Sequence, residues 1–181
     1  SEMCIRDRAM KDSAALLVYW DGEASDISWP EPCIVEYVTN GQGGINSLSK
    51  GTIDAMMADK NTSIYDLIGI GNIRKKYPPQ TSTEKTVMQT VIGDMMSAYP
   101  SESYGIIFGS HGSGWLPTIT GTRSIGQDGG RYSSDTALIP ELAEVLRTVN
   151  PQKFDFVLFD ACMMGCAEVY YELKDAARYC I

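Results

Sequence analysis

The chain has 181 residues, of which 44% are hydrophobic and 21% charged, and a formal net charge of −8. That length supports an α/β domain with a sizeable core, and the composition is that of an ordinary soluble globular protein. The acidic balance argues against a nucleic-acid partner, whose phosphates demand a basic surface, and is compatible with cationic substrates. No apolar run approaches the ~18 residues of a membrane span.

Five cysteines (Cys4, Cys33, Cys162, Cys166 and Cys180) include no zinc-type Cys-x-x-Cys pair. Their odd number reads as buried free thiols with one reactive thiol rather than a disulfide framework. The single histidine, His111, is the one candidate for any step that needs an imidazole.

Residues 1–8, Ser-Glu-Met-Cys-Ile-Arg-Asp-Arg, lack the apolar region and cleavage site of a signal peptide. They read as a non-native leader, with residues 9–181 as the folded domain. Residues 14–20 (Ala-Ala-Leu-Leu-Val-Tyr-Trp) predict a first buried strand closed by Asp21-Gly22. After a polar loop with Trp29-Pro30-Glu31-Pro32, residues 33–38 predict a second, closed by a loose loop from Asn40-Gly41. Residues 47–77 receive no assignment, because the helical spacing of Ile53, Met56 and Met57 is broken by Gly69, Gly71 and Asn72.

A helix opens at Ser82-Thr83-Glu84, with Thr81 or Ser82 as its cap, and ends before Tyr99-Pro100. Its apolar face of Val87, Val91, Ile92, Met95 and Met96 reads as core packing rather than a cofactor box. Residues 104–109 form a third buried strand that runs into Ser110-His111-Gly112-Ser113-Gly114-Trp115. The polar stretch 118–134, with Arg123 and Arg131, is long enough for a functional or mobile loop. Residues 141–149 predict a helix stopped by Asn150-Pro151. Residues 154–159 predict a strand buried on both faces, then Asp160-Ala161-Cys162 and a helix over 163–173. Residues 177–181 look like the start of a strand cut short. Strands alternating with helices imply right-handed crossovers and a mostly parallel sheet with helices on both faces.

Two strands thus end in His-Gly and in Asp-Ala-Cys, at the sheet edge where α/β proteins build their sites. As neighbours about 5 Å apart they would bring both side chains to one crevice. An accessible Cys162 thiolate is a nucleophile, and His111 is positioned to carry its protons. The amides of Gly112 and Cys162 are candidate oxyanion donors, and a helix starting after Cys162 would favour negative charge. Asp160, two residues before Cys162 on a strand, would share its face and suit a cationic substrate side chain. Blander readings remain open: a loop histidine, a buried cysteine, Asp160 as a helix cap, or a Cys162–Cys166–His111 metal site that lacks a fourth ligand.

Residues 107–117 (Ile-Phe-Gly-Ser-His-Gly-Ser-Gly-Trp-Leu-Pro), 123–128 (Arg-Ser-Ile-Gly-Gln-Asp) and 159–165 (Phe-Asp-Ala-Cys-Met-Met-Gly) resemble the clostripain family of cysteine peptidases, in the caspase-like group. The resemblance is best over residues 86–178. It implies a caspase-like three-layer α/β/α sandwich whose sheet is here incomplete at the C-terminus, since the family continues with further strands. It also implies a Cys/His dyad that cleaves polypeptides after Arg or Lys. His111 matches the catalytic histidine, Cys162 the nucleophile and Asp160 the acidic residue of the P1 pocket. The resemblance further suggests secretion or surface attachment, and Arg123, Arg131 or Arg147 as self-cleavage points. Some relatives use calcium, but no EF-hand-like loop is visible, no other cofactor is implied, and the oligomeric state is unspecified. Two alternatives stay open: a catalytically silent binding or scaffold domain, and a thiol-dependent amidase or acyl transferase.

Overall fold

The computed structural model describes residues 15–21, 31–38, 40, 42, 44–113, 124–128 and 135–181. Residues 1–8, Arg123 and Arg131 lie outside the described residues. The chain divides into two compact units, one carrying the described residues up to Pro79 and the other running Gln80–Ile181.

The first unit is built on an antiparallel sheet of β1 (Leu16–Trp20), β2 (Cys33–Tyr37) and β3 (Asn72–Lys76), with β2 in the middle. Between β2 and β3 run α1 (Lys50–Ala58), capped by the Ser49 hydroxyl, and α2 (Ile64–Gly69). Ser63 and Asp66 close a reciprocal capping box on α2. The Ser63 hydroxyl and amide hold the Asp66 carboxyl below its ordinary range. Cys33, Val35 and Tyr37 pack with Ile68 of α2 into a small core, and the Tyr37 hydroxyl donates to the Leu67 carbonyl at 2.9 Å.

On the other face of β2, Glu36 is also buried. Arg74 of β3 donates to its carboxylate through Nε at 2.7 Å and through a terminal nitrogen. Replacing Arg74 with methionine keeps the aliphatic bulk but strands a buried carboxylate. The expected cost is about 2 kcal/mol, less than for a fully buried pair because Arg74 is half exposed. A lowered urea midpoint at unchanged slope would show it.

The second unit begins with α3 (Lys85–Ala98), followed by β4 (Gly105–Gly109), β5 (Ser124–Asp128) and β6 (Asp135–Leu138). It continues with α4 (Ile139–Val149), β7 (Phe154–Asp160), α5 (Ala167–Leu173) and β8 (Ala177–Cys180). The strands β4, β7 and β8 form a parallel sheet in that order, so the two motif-bearing strands are neighbours, as expected. Both crossovers step the same way across the sheet, and right-handed connections then put α4 and α5 on one face.

That face is the core. Leu142, Val145 and Leu146 of α4 are fully buried, together with Val157 of β7 and Leu173 of α5, and Met88 and Ile92 of α3 join them. Each such side chain contributes about 2 kcal/mol by leaving water. Pro140 sits in the first turn of α4, where its missing N–H costs nothing. The opposite face of the sheet carries Ile107 and Tyr179, both exposed.

The structure corrects several expectations. The sheet that carries the motifs, β4–β7–β8, is parallel as expected, but the strands do not all join it: β1–β3 and the β5–β6 pair form separate antiparallel sheets. Within 118–134 lies a strand, β5, rather than loop alone. Residues 154–159 are not buried on both faces, because the described helices of this unit cover one face, and β4 and β7 are partly exposed. The 85–98 helix is N-capped by Glu84 rather than by Thr81 or Ser82, and makes no side-chain capping bond. The helix after Cys162 does not begin at residue 163 but at Ala167, with Cys166 as its N-cap. Cys162 therefore stands outside the first turn of that helix, and the helix dipole gives it no direct support.

Candidate active site

The parallel ladder of β4 and β7 runs out with Gly109 opposite Asp160, and the Ser110 N–H adds one bond to the Asp160 carbonyl at 3.3 Å. His111 and Cys162 each follow two residues beyond that last pair. Both are exposed, as is Asp160 at the strand end. The alternation that would put Asp160 and Cys162 on one face stops at Asp160, because residues 161–163 turn and Met163 takes a left-handed backbone (φ 61°). After the turn, Met164 is 1% exposed and anchored in the core, while Met163 beside it is 59% exposed. The adjacent methionines thus point to different surroundings across a turn and do not continue a helix.

The two motif loops touch at Gly112. A Cβ built there would stand 2.6 Å from the Cys162 carbonyl oxygen, 2.9 Å from Met164 Cγ and 3.0 Å from its sulfur. Glycine is the residue that permits this approach.

A third element holds the histidine loop. The Gly126 N–H donates to the His111 carbonyl at 2.9 Å, and the Ser113 N–H donates to the Ser124 carbonyl at 3.0 Å. Between them Gly112 forms an antiparallel bridge with Ile125. This is the non-hydrogen-bonded type of pair, in which the N–H and C=O of the central residue point away from the partner strand. The Gly112 amide is therefore directed away from β5. Gly126 is at φ 78°, a conformation that favours glycine, and the β5–β6 register shifts between Ile125 and Asp128. Sequence reasoning missed β5 as a part of the site. Ile125 is the one apolar residue in Ser-Ile-Gly-Gln-Asp, and its alternation with buried Ser124 carries no hydrophobic signal.

The four cysteines of the described residues are all free thiols: Cys162 is exposed, Cys33 buried, and Cys166 and Cys180 half-buried. Burial pushes the Cys33 and Cys180 thiols up from their ordinary value, which leaves them protonated and slow toward electrophiles at neutral pH. Among the described residues no three His, Cys, Asp or Glu side chains converge on a metal site. No described helix is long and apolar enough to cross a membrane. Arg147 is exposed in the last turn of α4, whose helical backbone would have to unwind before it could be cut.

Parallel neighbours that send a His-Gly step and an Asp-Ala-Cys turn to one sheet edge, in contact through a glycine, mark a mixed α/β chain on the plan of cysteine peptidases. The chain belongs to the clostripain family, whose family model matches residues 1–181. Among solved structures it is similar to a secreted C11 cysteine protease from Bacteroides thetaiotaomicron in complex with an irreversible peptide inhibitor. The two share 32% identity, with a TM-score of 0.61, over 92% of this chain and 37% of that one. An inactive zymogen C11 protease from Parabacteroides distasonis is 26% identical with a TM-score of 0.59, over 92% of this chain and 36% of that one. A second structure from Bacteroides thetaiotaomicron, the secreted C11 cysteine protease iotapain, is 21% identical with a TM-score of 0.59 and supports the fold alone. It aligns with 82% of this chain and 37% of its own length. The chain thus spans a little over a third of the length of these relatives. No curated protein matches it.

Proposed function

We propose that this chain carries the catalytic pair of a cysteine endopeptidase that cleaves after Arg or Lys. The observation that carries the reading is the contact at Gly112, which seats the histidine loop against the Cys162 carbonyl. Cys162 attacks the scissile carbonyl as the thiolate, its proton already given up to solvent, and His111 serves the acid step. The oxyanion accepts hydrogen bonds from the Gly112 and Cys162 amides. His111 then protonates the leaving amine as the C–N bond breaks, and water hydrolyses the thioester and regenerates the thiol. The outward-turned Gly112 amide supports its place in the oxyanion hole. The exposed carboxylate of Asp160, on the last pair of the ladder, supports a role in binding a basic P1 side chain.

The parallel sheet is read here as the middle layer of a caspase-like α/β/α sandwich. The helices on one face and the apolar Ile107 and Tyr179 on the other support this, since parallel sheets are covered on both sides. Secretion is inferred from the relative described as secreted.

An arginyl acyloxymethyl ketone tests the reading, because it labels only a nucleophile that also binds a basic side chain. A single adduct on Cys162, mapped by mass spectrometry, is the expected result. A binding or scaffold domain would stay unlabelled, and an amidase without basic preference would react equally with a norleucyl analogue. Asp160→Ala should lower the preference for arginyl over norleucyl substrates by about 10- to 100-fold, the worth of a charge-assisted pair. An unaltered ratio would remove Asp160 from the pocket.

A further inference from the structure

We propose that Ser113 is a positioning residue that latches the His111 loop onto β5, fixing the imidazole for proton delivery to the leaving amine. The inference rests on the peptidase reading of His111 and Cys162 given above.

Ser113 is bonded to β5 through both backbone and side chain. Its N–H donates to the Ser124 carbonyl at 3.0 Å, and its hydroxyl lies 3.3 Å from the same carbonyl. The Ser124 N–H donates in return to Ser113 Oγ at 3.0 Å, and the two hydroxyls are 3.2 Å apart. Ser124 is buried, at 5% exposure, so its N–H has little water to turn to if Ser113 Oγ is lost. Two residues earlier the Gly126 N–H holds the His111 carbonyl, so the backbone of His111 is pinned on one side by β5. On the other side Gly112 rests on the Cys162 turn and on buried Met164. The His111 side chain itself is exposed, and the clamp fixes the backbone from which it projects.

A loosened latch should damage proton delivery more than thiol attack. An arginyl anilide needs its leaving amine protonated, whereas an arginyl nitrophenyl ester does not. In the full polypeptide, Ser113→Ala is expected to lower kcat for the anilide by about 10- to 100-fold, the range of a displaced general acid, with KM little changed. Turnover of the ester should fall less than about threefold, its leaving group needing no general acid. Ser113→Thr, which keeps the hydroxyl, should hold the anilide-to-ester ratio near that of the parent. If Ser113→Ala fails to fold, Ser124→Ala serves instead; it removes only the hydroxyl contact and should shift the ratio the same way by a smaller factor.

Equal losses toward both substrates, or no loss, with Cys162 and His111 still essential, would overturn the Ser113 assignment and leave the peptidase reading intact. Anilide cleavage that survives Cys162→Ala would remove the peptidase reading and the latch with it.

Discussion

Cys162→Ala is expected to lower cleavage of arginyl amides by roughly 10⁴-fold or more, since the covalent route disappears and only binding and oxyanion stabilisation remain. The same substitution should barely affect stability. Cys162 is exposed on a turn, and surface changes away from caps and special backbone positions stay within about 0.5 kcal/mol. Activity lost at an unchanged urea midpoint therefore separates a chemical role from a structural one. Cys33→Ala gives the opposite pattern. Its thiol is buried in the core of the first unit and held protonated by that burial, so removing it should cost stability and leave the nucleophile in place. Rate assays and urea melts on the two variants check both statements, and full turnover by Cys162→Ala would reject it as the nucleophile.

The strands that position this pair were legible because each is apolar for a stated reason. Ile106 and Phe108 of β4 and Val157 and Phe159 of β7 face the helices, and Phe108 stacks on Phe159 across the two strands at 5.8 Å between rings. A continuous apolar run therefore announced each strand, and the residue types just beyond it announced the chemistry. The helix α4 was legible for a related reason: Leu142, Val145 and Leu146 recur at helical spacing and all are buried.

Elements without an apolar face could not be found that way. The outer strand β3, Asn-Ile-Arg-Lys-Lys, is exposed along its whole length, and α1 has no buried residue. What orders β3 is pairing with β2 and the Arg74–Glu36 ion pair, neither of which leaves a hydrophobic period. The antiparallel arrangement of the first unit was hidden because β2 is buried at every position. A run apolar but for Glu36 reads as a parallel strand, although here it is the centre of an antiparallel sheet. In the site itself, the turn at Met163 was missed because Met163 and Met164 fit a helical pattern by type. Only the left-handed backbone at Met163 and the burial of its neighbour show that the chain is not yet helical.

Gly112→Ala should cost both rate and stability. The new Cβ would lie 2.6 Å from the Cys162 carbonyl oxygen, and that neighbour is backbone, so no side-chain rotation relieves the clash. The His111 loop or the Cys162 turn must move by several tenths of an ångström, and a displacement near 1 Å at a catalytic pair costs about 100-fold. We expect kcat to fall by about that factor, with a stability loss of roughly 1–3 kcal/mol from overpacking. The other two close contacts belong to the side chain of Met164. Combining Gly112→Ala with Met164→Ala would clear those two but leave the carbonyl clash, so stability should change without recovery of rate. Gly109→Ala is the control for folding, since a Cβ there meets nothing within 4 Å and should shift the urea midpoint little. If the Gly112→Ala protein kept full activity, the seating of the histidine loop on the Cys162 turn would not be what aligns the pair.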